Sequence, residues 1–219
     1  MIDDYFKDRK FSRERALAFG FKRAGDGYEL KKEFEDSRFL FVARISKSGK
    51  IHAEVLDDFG EAYTLHLMDG AVGKFVGRVR DDYERTLAAI ASRCFVPDAF
   101  HSGDSKKILQ VVLKKYGDEL EFPWDDLEAG IFRRRDSRKW YGLLMRIGRD
   151  RLGLSGEGKI EVLNLHGVPA ENEKLWDEKS IFPAYHMNKK HWISILLDGG
   201  VPARKIFGLI EKSYELAKK

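Results

Sequence analysis

Polar and apolar residues alternate along Arg38–Ser46, where Phe39, Phe41, Ala43 and Ile45 fall on one side of an extended chain. This is the period that a strand with one buried face imposes. Gly27–Glu33, Lys50–Leu56 and Ala62–Leu67 read as three further strands, and Ser48-Gly49 turns the chain before Lys50–Leu56. The period then changes. Phe75, Val76, Val79, Tyr83, Leu87, Ile90 and Ala91 recur at helical spacing and predict a long helix over Gly73–Phe95. A short helix, capped by Ser12 and ended by Gly20, precedes the strands. Residues 1–96 therefore predict an α-β-β-β-β-α subdomain.

Residues 97–103, rich in turn formers, read as a short linker. Residues 104–219 predict a second domain that opens with a helix, Asp104–Tyr116, stopped by Gly117. A hairpin follows whose second strand runs on through Leu143, Met145 and Ile147, and then a strand over Lys159–Leu165. Pro169–Lys179 reads as a helix with proline in its first turn. Ile181–Met187 and Lys190–Leu197 read as a hairpin around Asn188-Lys189. An amphipathic helix from Pro202 to the C-terminus, bearing Ile206, Leu209, Ile210, Ser213 and Tyr214, completes the domain. Helices mixed with hairpin-connected strands in both halves predict an α/β protein of the α+β type.

One segment departs from what a soluble fold requires. In Ile131-Phe132-Arg133-Arg134-Arg135-Asp136-Ser137-Arg138-Lys139-Trp140-Tyr141, five cations crowd a hairpin tip. With Asp136-Ser137 as the turn, Arg135 faces Arg138, Arg134 faces Lys139 and Arg133 faces Trp140. Like charges opposed across a strand pair destabilise it, so the tip is expected to meet a polyanion. Alternation places Tyr141, Leu143, Met145 and Ile147 on the core face, with Arg134 and Lys139 at its margin. Trp140, Arg133, Arg135 and Arg138 share the other face, where an indole can stack on a base while guanidiniums take phosphates.

Charge distribution sharpens this picture. The chain carries 40 Lys+Arg against 36 Asp+Glu, a net +4, which alone says little. Residues 1–100 are neutral, however, and residues 133–151 hold eight basic residues against Asp136 and Asp150. An excess confined to one segment is the pattern of a local binding patch. Cys94 is the single cysteine, which excludes an intrachain disulfide and a thiolate metal cluster. Its apolar neighbours predict a buried structural thiol. No signal-like segment opens the chain and no apolar run is long enough to span a membrane, so a cytoplasmic protein without membrane contact is expected.

The second half is similar to the MmcQ/YjbR family. The likeness rests on Glu121-Phe122-Pro123-Trp124, Ile131-Phe132-Arg133, Lys139-Trp140-Tyr141, Leu152-Gly153-Leu154 and Val162-Leu163-Asn164-Leu165. Its longest stretch is Ile181 to Ile195, continued by Leu196-Leu197-Asp198-Gly199 and Lys212-Ser213-Tyr214-Glu215-Leu216. It covers about residues 104–217, and the first half resembles the extension that longer members carry. The resemblance implies a frataxin (CyaY)-like α-β sandwich with an antiparallel sheet, also described as a double-wing DNA-binding fold. Frataxins bind iron along an acidic helix, whereas the matching helix here carries Lys106, Lys107, Lys114 and Lys115, which argues against iron delivery.

Other chemistry is thinly represented. Two facing histidines, His186 and His191, are expected as cross-strand neighbours if the second hairpin has a two-residue turn. Two such ligands without a third make a weak metal site. Asp125-Asp126-Glu128 reads as a capped turn more readily than as a magnesium site. Gly153, Gly156 and Gly158 around Ser155 lie between strands, not before a helix, and lack a phosphate-loop pattern. No nucleophile elbow or paired-histidine metal motif is present. The expectation is a non-enzymatic nucleic-acid-binding protein, DNA being the partner, without cofactor or metal. Its contacts would be Arg133, Arg134, Arg135, Arg138, Lys139 and Trp140 in one wing, and Asn188, Lys189 and Lys190 in the other. The neutral N-terminal half would serve a protein partner or a homodimer. Two alternatives stand beside it: a protein-interaction module, and a small-molecule binder or enzyme using Tyr185, His186, His191 and Trp192.

Overall fold

A computed structural model describes residues 2–34, 38–124, 126–177 and 179–218. The chain forms two compact units, Met1–Asp98 and Ala99–Lys219. Both combine helices with antiparallel sheet, so the protein is α+β. No helix among the described residues is long and apolar enough to cross a membrane.

In the first unit, α1 (Ile2–Phe6), β1 (Arg9–Phe11) and α2 (Arg13–Phe19) lead into the sheet strands β2 (Lys22–Ala24), β3 (Gly27–Glu33), β4 (Leu40–Ile45) and β5 (Ile51–Leu56). The unit closes with α3 (Lys74–Cys94) and β6 (Phe95–Pro97). The sheet runs β2-β3-β4-β5, and β1 pairs with β6 apart from it. Phe41, Ala43 and Ile45 of β4 bury against Val79, Tyr83, Leu87 and Ile90 of α3, as their two periods require. Ser12 and the left-handed Gly20 bound α2 as expected. The fourth strand is different. Ala62 makes only an isolated bridge to Leu56, and Leu65–Leu67 forms a 3₁₀ turn. Lys22–Ala24 supplies the fourth strand instead, at the opposite edge of the sheet, through its tight turn to β3. Cys94 is buried, and burial pushes its thiol up to about 11, which leaves it protonated and unreactive.

In the second unit, α4 (Gly103–Tyr116) precedes β7 (Ala129–Arg133), β8 (Trp140–Gly148) and β9 (Lys159–His166). Then come α5 (Pro169–Leu175), β10 (Ile181–Pro183), β11 (Trp192–Leu196) and α6 (Ala203–Leu216). The sheet order is β10-β11-β9-β8-β7, antiparallel throughout. Ile108 and Val112 of α4 and Ile206 and Ile210 of α6 pack on Leu144, Leu163, Leu165, Ile193 and Ile195. The opposite face gathers Ile131, Leu143 and Met145 under Tyr185 and Met187. Asn164 and Ser194, both buried, hold that cover down: Asn164 donates to the Tyr185 carbonyl at 2.7 Å, and the Ser194 hydroxyl donates to Asn164 at 2.6 Å and accepts from the Tyr185 N–H at 2.9 Å. Helix α5 stops at Leu175, short of the expected Lys179, because the Asp177 carboxylate captures the N–H groups of Lys179, Ser180 and Ile181 in a turn.

The face assignment of β8 needs correction. Phe132 pairs with Gly142 but Arg133 pairs with Trp140, so Tyr141 is the extra residue of a β-bulge. The bulge puts Tyr141 on the helix side with Phe132 and Leu144, and leaves Leu143, Met145 and Ile147 on the face of Trp140. Gly142 permits it, since a Cβ there would meet the Phe132 ring at 2.9 Å. Pairing with β9 also begins at Gly142. The wholly buried Ser213 of α6 fills the gap, donating to the Tyr141 carbonyl and accepting from the His166 N–H at 2.8 Å. Ser213→Ala orphans both backbone groups inside the core. Equilibrium urea unfolding should show a loss of about 1–3 kcal/mol with an unchanged m-value.

Candidate nucleic-acid interface

The connection between β7 and β8 is closed by an Arg134 N–H to Lys139 carbonyl bond of 3.0 Å, and Arg138 N–H returns to the Arg134 carbonyl at 3.1 Å. Four residues, 135–138, form the loop, with Arg138 in the left-handed region at φ 59°. Arg133 opposes Trp140 and Arg134 opposes Lys139, as expected. Arg135 and Arg138 do not form a cross-strand pair, because both lie inside the loop.

The structure separates the five cations into two groups. Arg133 donates to Glu121 at 2.9 Å and to the Arg138 carbonyl at 3.0 Å, with its guanidinium 5.8 Å from the Trp140 ring centre. Arg135 reaches Asp118 at 3.3 Å and donates to the Gly117 carbonyl, while its side chain stays largely exposed. Arg134 is buried at 4% exposure. It grips both oxygens of Asp136, at 2.8 and 2.6 Å, donates to the Tyr214 carbonyl at 2.9 Å and lies 3.8 Å over the Tyr214 ring. That pairing raises the Arg134 pKa and holds the Asp136 carboxyl far below its ordinary value. Arg134 is therefore removed from the phosphate-contacting set: its donors are spent on the fold. Arg138 and Lys139 are exposed and make no ion pair among the described residues.

Trp140 is half-buried over Ile131, Leu143 and Met145, with Trp124 edge-on at 5.9 Å. Its role as a stacking platform is weakened by this cover, and the more open indole is Trp124, 42% exposed.

The second hairpin is shorter than its hydrophobic pattern suggests. Strands β10 and β11 pair only over Ile181–Pro183 and Ile193–Ile195, and residues 184–191 form a loop in place of a two-residue turn. Asn188 shapes that loop. Its carboxamide oxygen accepts the Lys190 N–H at 3.0 Å, and its carbonyl accepts from His191 and Trp192. The buried Asn172 of α5 anchors the loop by donating to the Lys190 carbonyl at 3.1 Å. Lys189 and Lys190 project exposed side chains. His186 adopts φ 57° and lies against Tyr185 with ring centres 4.1 Å apart, so it is not the cross-strand partner of His191. His191 stacks instead on His166, at 6.1 Å.

His166 is the residue that the sequence reading missed, because the strand pattern ends on the apolar Leu165. The sheet register brings it between the loops, opposite Trp192 in β11 and one residue beyond the Leu165–Gly142 pair with β8. Burial lowers its pKa, and the charges of His191 and Lys139 act in the same sense. The carboxylate cluster proposed around Asp125 is structural where it is described: Glu128 pairs with Arg146 at 3.0 Å and Lys159 at 2.8 Å, and Asp126 caps the Glu128 N–H. Asp125 lies outside the described residues.

Two single substitutions separate structural from free cations. Arg134→Ala should lower the thermal midpoint by several degrees, because it strands the Tyr214 carbonyl and Asp136. Arg138→Ala, at an exposed unpaired site, should leave the midpoint within about 2 °C.

The family model described as YjbR matches residues 113–216. A Bacillus subtilis (strain 168) relative carrying the name Uncharacterized protein YyaQ is 40% identical over 112 residues, 51% of this chain and 95% of its own. The Escherichia coli (strain K12) protein YjbR is 43% identical over 35 residues, 16% of this chain and 30% of its own. Among solved structures, a Pseudomonas syringae protein matches at 37% identity with a TM-score of 0.50, over 52% of this chain and 97% of that one.

Proposed function

This chain belongs to the YjbR family through its second unit, and from the two basic loops of that unit we propose that it binds nucleic acid, DNA foremost, through the phosphate backbone. The observation that carries the reading is the placement of both loops at one end of one sheet. The 135–138 loop leads into β8 and the 184–191 loop leads into β11, and only β9 separates these strands. Two strand spacings set the loop bases about 10 Å apart, comparable with the roughly 6 to 12 Å widths of duplex grooves. Arg138 and Lys139 on one loop face the solvent beside Lys189 and Lys190 on the other, with Arg133 and Arg135 adding field. Exposed lysine and arginine tips hold phosphates without reading bases, so binding is sequence-independent.

Salt dependence tests this directly. Four phosphate contacts give a slope of log K against log salt of about −3 to −4 on duplex DNA. Replacing Arg138, Lys139, Lys189 and Lys190 together by Ala should bring the slope close to zero while the fold persists. Equal slopes for both proteins would sink the proposal.

His166 adds a pH term. Its folded pKa lies below the ordinary 6.5, so below that pH the unfolded chain takes up more protons. The free protein keeps this contribution above pH 6.5 and loses it as pH falls through the lowered folded value. A phosphate beside Lys139 and His166 acts in the opposite sense, favouring the imidazolium. DNA binding should then tighten between about pH 7.5 and about pH 5.5, and His166→Gln should flatten that increase while leaving the salt slope at the higher pH unchanged.

A further inference from the structure

The first unit contains a cavity of about 620 Å³ between α1, β5, the Leu65–Leu67 turn and α3. Its apolar walls come from Ile51, Ala53 and Leu87, and its aromatic walls from Tyr5 and Tyr83. His66 lines it at 3% exposure, and neither ring nitrogen has a hydrogen-bond partner of good geometry among the described residues. The ring is held edge-on to Tyr83 at 4.6 Å and parallel to Tyr63 at 5.8 Å. Burial lowers its pKa, the Tyr63 backbone opposes that shift, and the Arg80 charge reinforces it. The imidazole is thus neutral at pH 7, and the Tyr63 backbone can occupy only one of its two nitrogens. Buried polar atoms rarely stay unpaired without a reason.

The remaining polar groups fix the sign of what the cavity accepts. Asp3, Asp69 and Glu84 line it and are exposed at its mouth. None makes an ion pair among the described residues. Among the described residues the one lysine or arginine that lines it, Arg80, is turned onto the carbonyls of His66, Met68 and Ala71 at 2.9, 2.8 and 3.2 Å. No three His, Cys, Asp or Glu residues among the described ones converge closely enough to hold a metal ion. Spread carboxylates, aromatic walls and a neutral imidazole acceptor suit an organic cation with an apolar body more than a bare metal ion.

We propose that this cavity binds a small organic cation, an amine with an aromatic or apolar body, whose ammonium group meets the carboxylates and donates to His66. The full chain should be titrated with 2-phenylethylamine, 2-phenylethanol and phenylacetate, near-isosteres that are cationic, neutral and anionic. The amine should saturate in the millimolar range, about tenfold tighter than either of the others. Amide shifts should centre on Tyr5, His66, Tyr83 and Glu84. Glu84→Gln, at an exposed position, should weaken the amine about fivefold and leave the alcohol unchanged. His66→Gln should weaken the amine as well, provided its circular dichroism matches the parent. Failure to saturate by roughly 20 mM, equal binding of the three probes, or indifference to Glu84→Gln would overturn the proposal.

Discussion

The second unit depends on one extra residue. Tyr141 interrupts the pairing of β8 with β7, and the ladder with β9 stops beside it. A bulge at the end of a sheet leaves backbone groups without partners, and burial makes that costly. The Ser213 hydroxyl resolves two of them at once, bonding the Tyr141 carbonyl and the His166 N–H. The same bulge turns the Tyr141 ring toward α4 and α6, where it meets Tyr116 and Tyr214 edge-on and donates to the buried Asp118 at 3.0 Å. The basic loop inherits its position from this anchor. Arg134 lies over Tyr214 and donates to its carbonyl, which places a cation where a helix C-terminus favours one, and the neutral Ser137 hydroxyl donates to the Ala217 carbonyl at 2.6 Å.

That arrangement also explains how a fold tolerates so many cations at one tip. Carboxylates from three places answer three of them: Glu121 to Arg133, Asp136 to Arg134 and Asp118 to Arg135. The repulsion inferred from cross-strand pairing is largely neutralised within the unit, so the run of arginines is partly a scaffold. The functional argument shifts from the number of charges to the few without partners, and to the second loop that shares their end of the sheet.

Periodicity made much of this legible. The alternation in β4 and the helical spacing in α3 gave elements that the structure retains, because each buries one face on the other. The hairpin register around Arg133 and Trp140 was readable too, since a four-residue loop preserves the parity on which it rests. What escaped were features set by distant partners. The bulge at Tyr141 requires Ser213, 72 residues away. The 184–191 loop replaces a hairpin because Asn172 and Asn188 capture its backbone. His166 joins the basic end only through strand order. The resemblance to the family reached the right unit, and the residues that carry it include the 184–191 loop and the strand ends that flank the 135–138 loop.

The most direct measurement is a backbone amide map of the full chain titrated with a short DNA duplex at low salt. The account predicts saturable shifts concentrated in residues 134–139, His166 and residues 184–192, with the first unit silent. Shifts confined to the far end of the sheet, or spectra unchanged at saturating duplex, would contradict it.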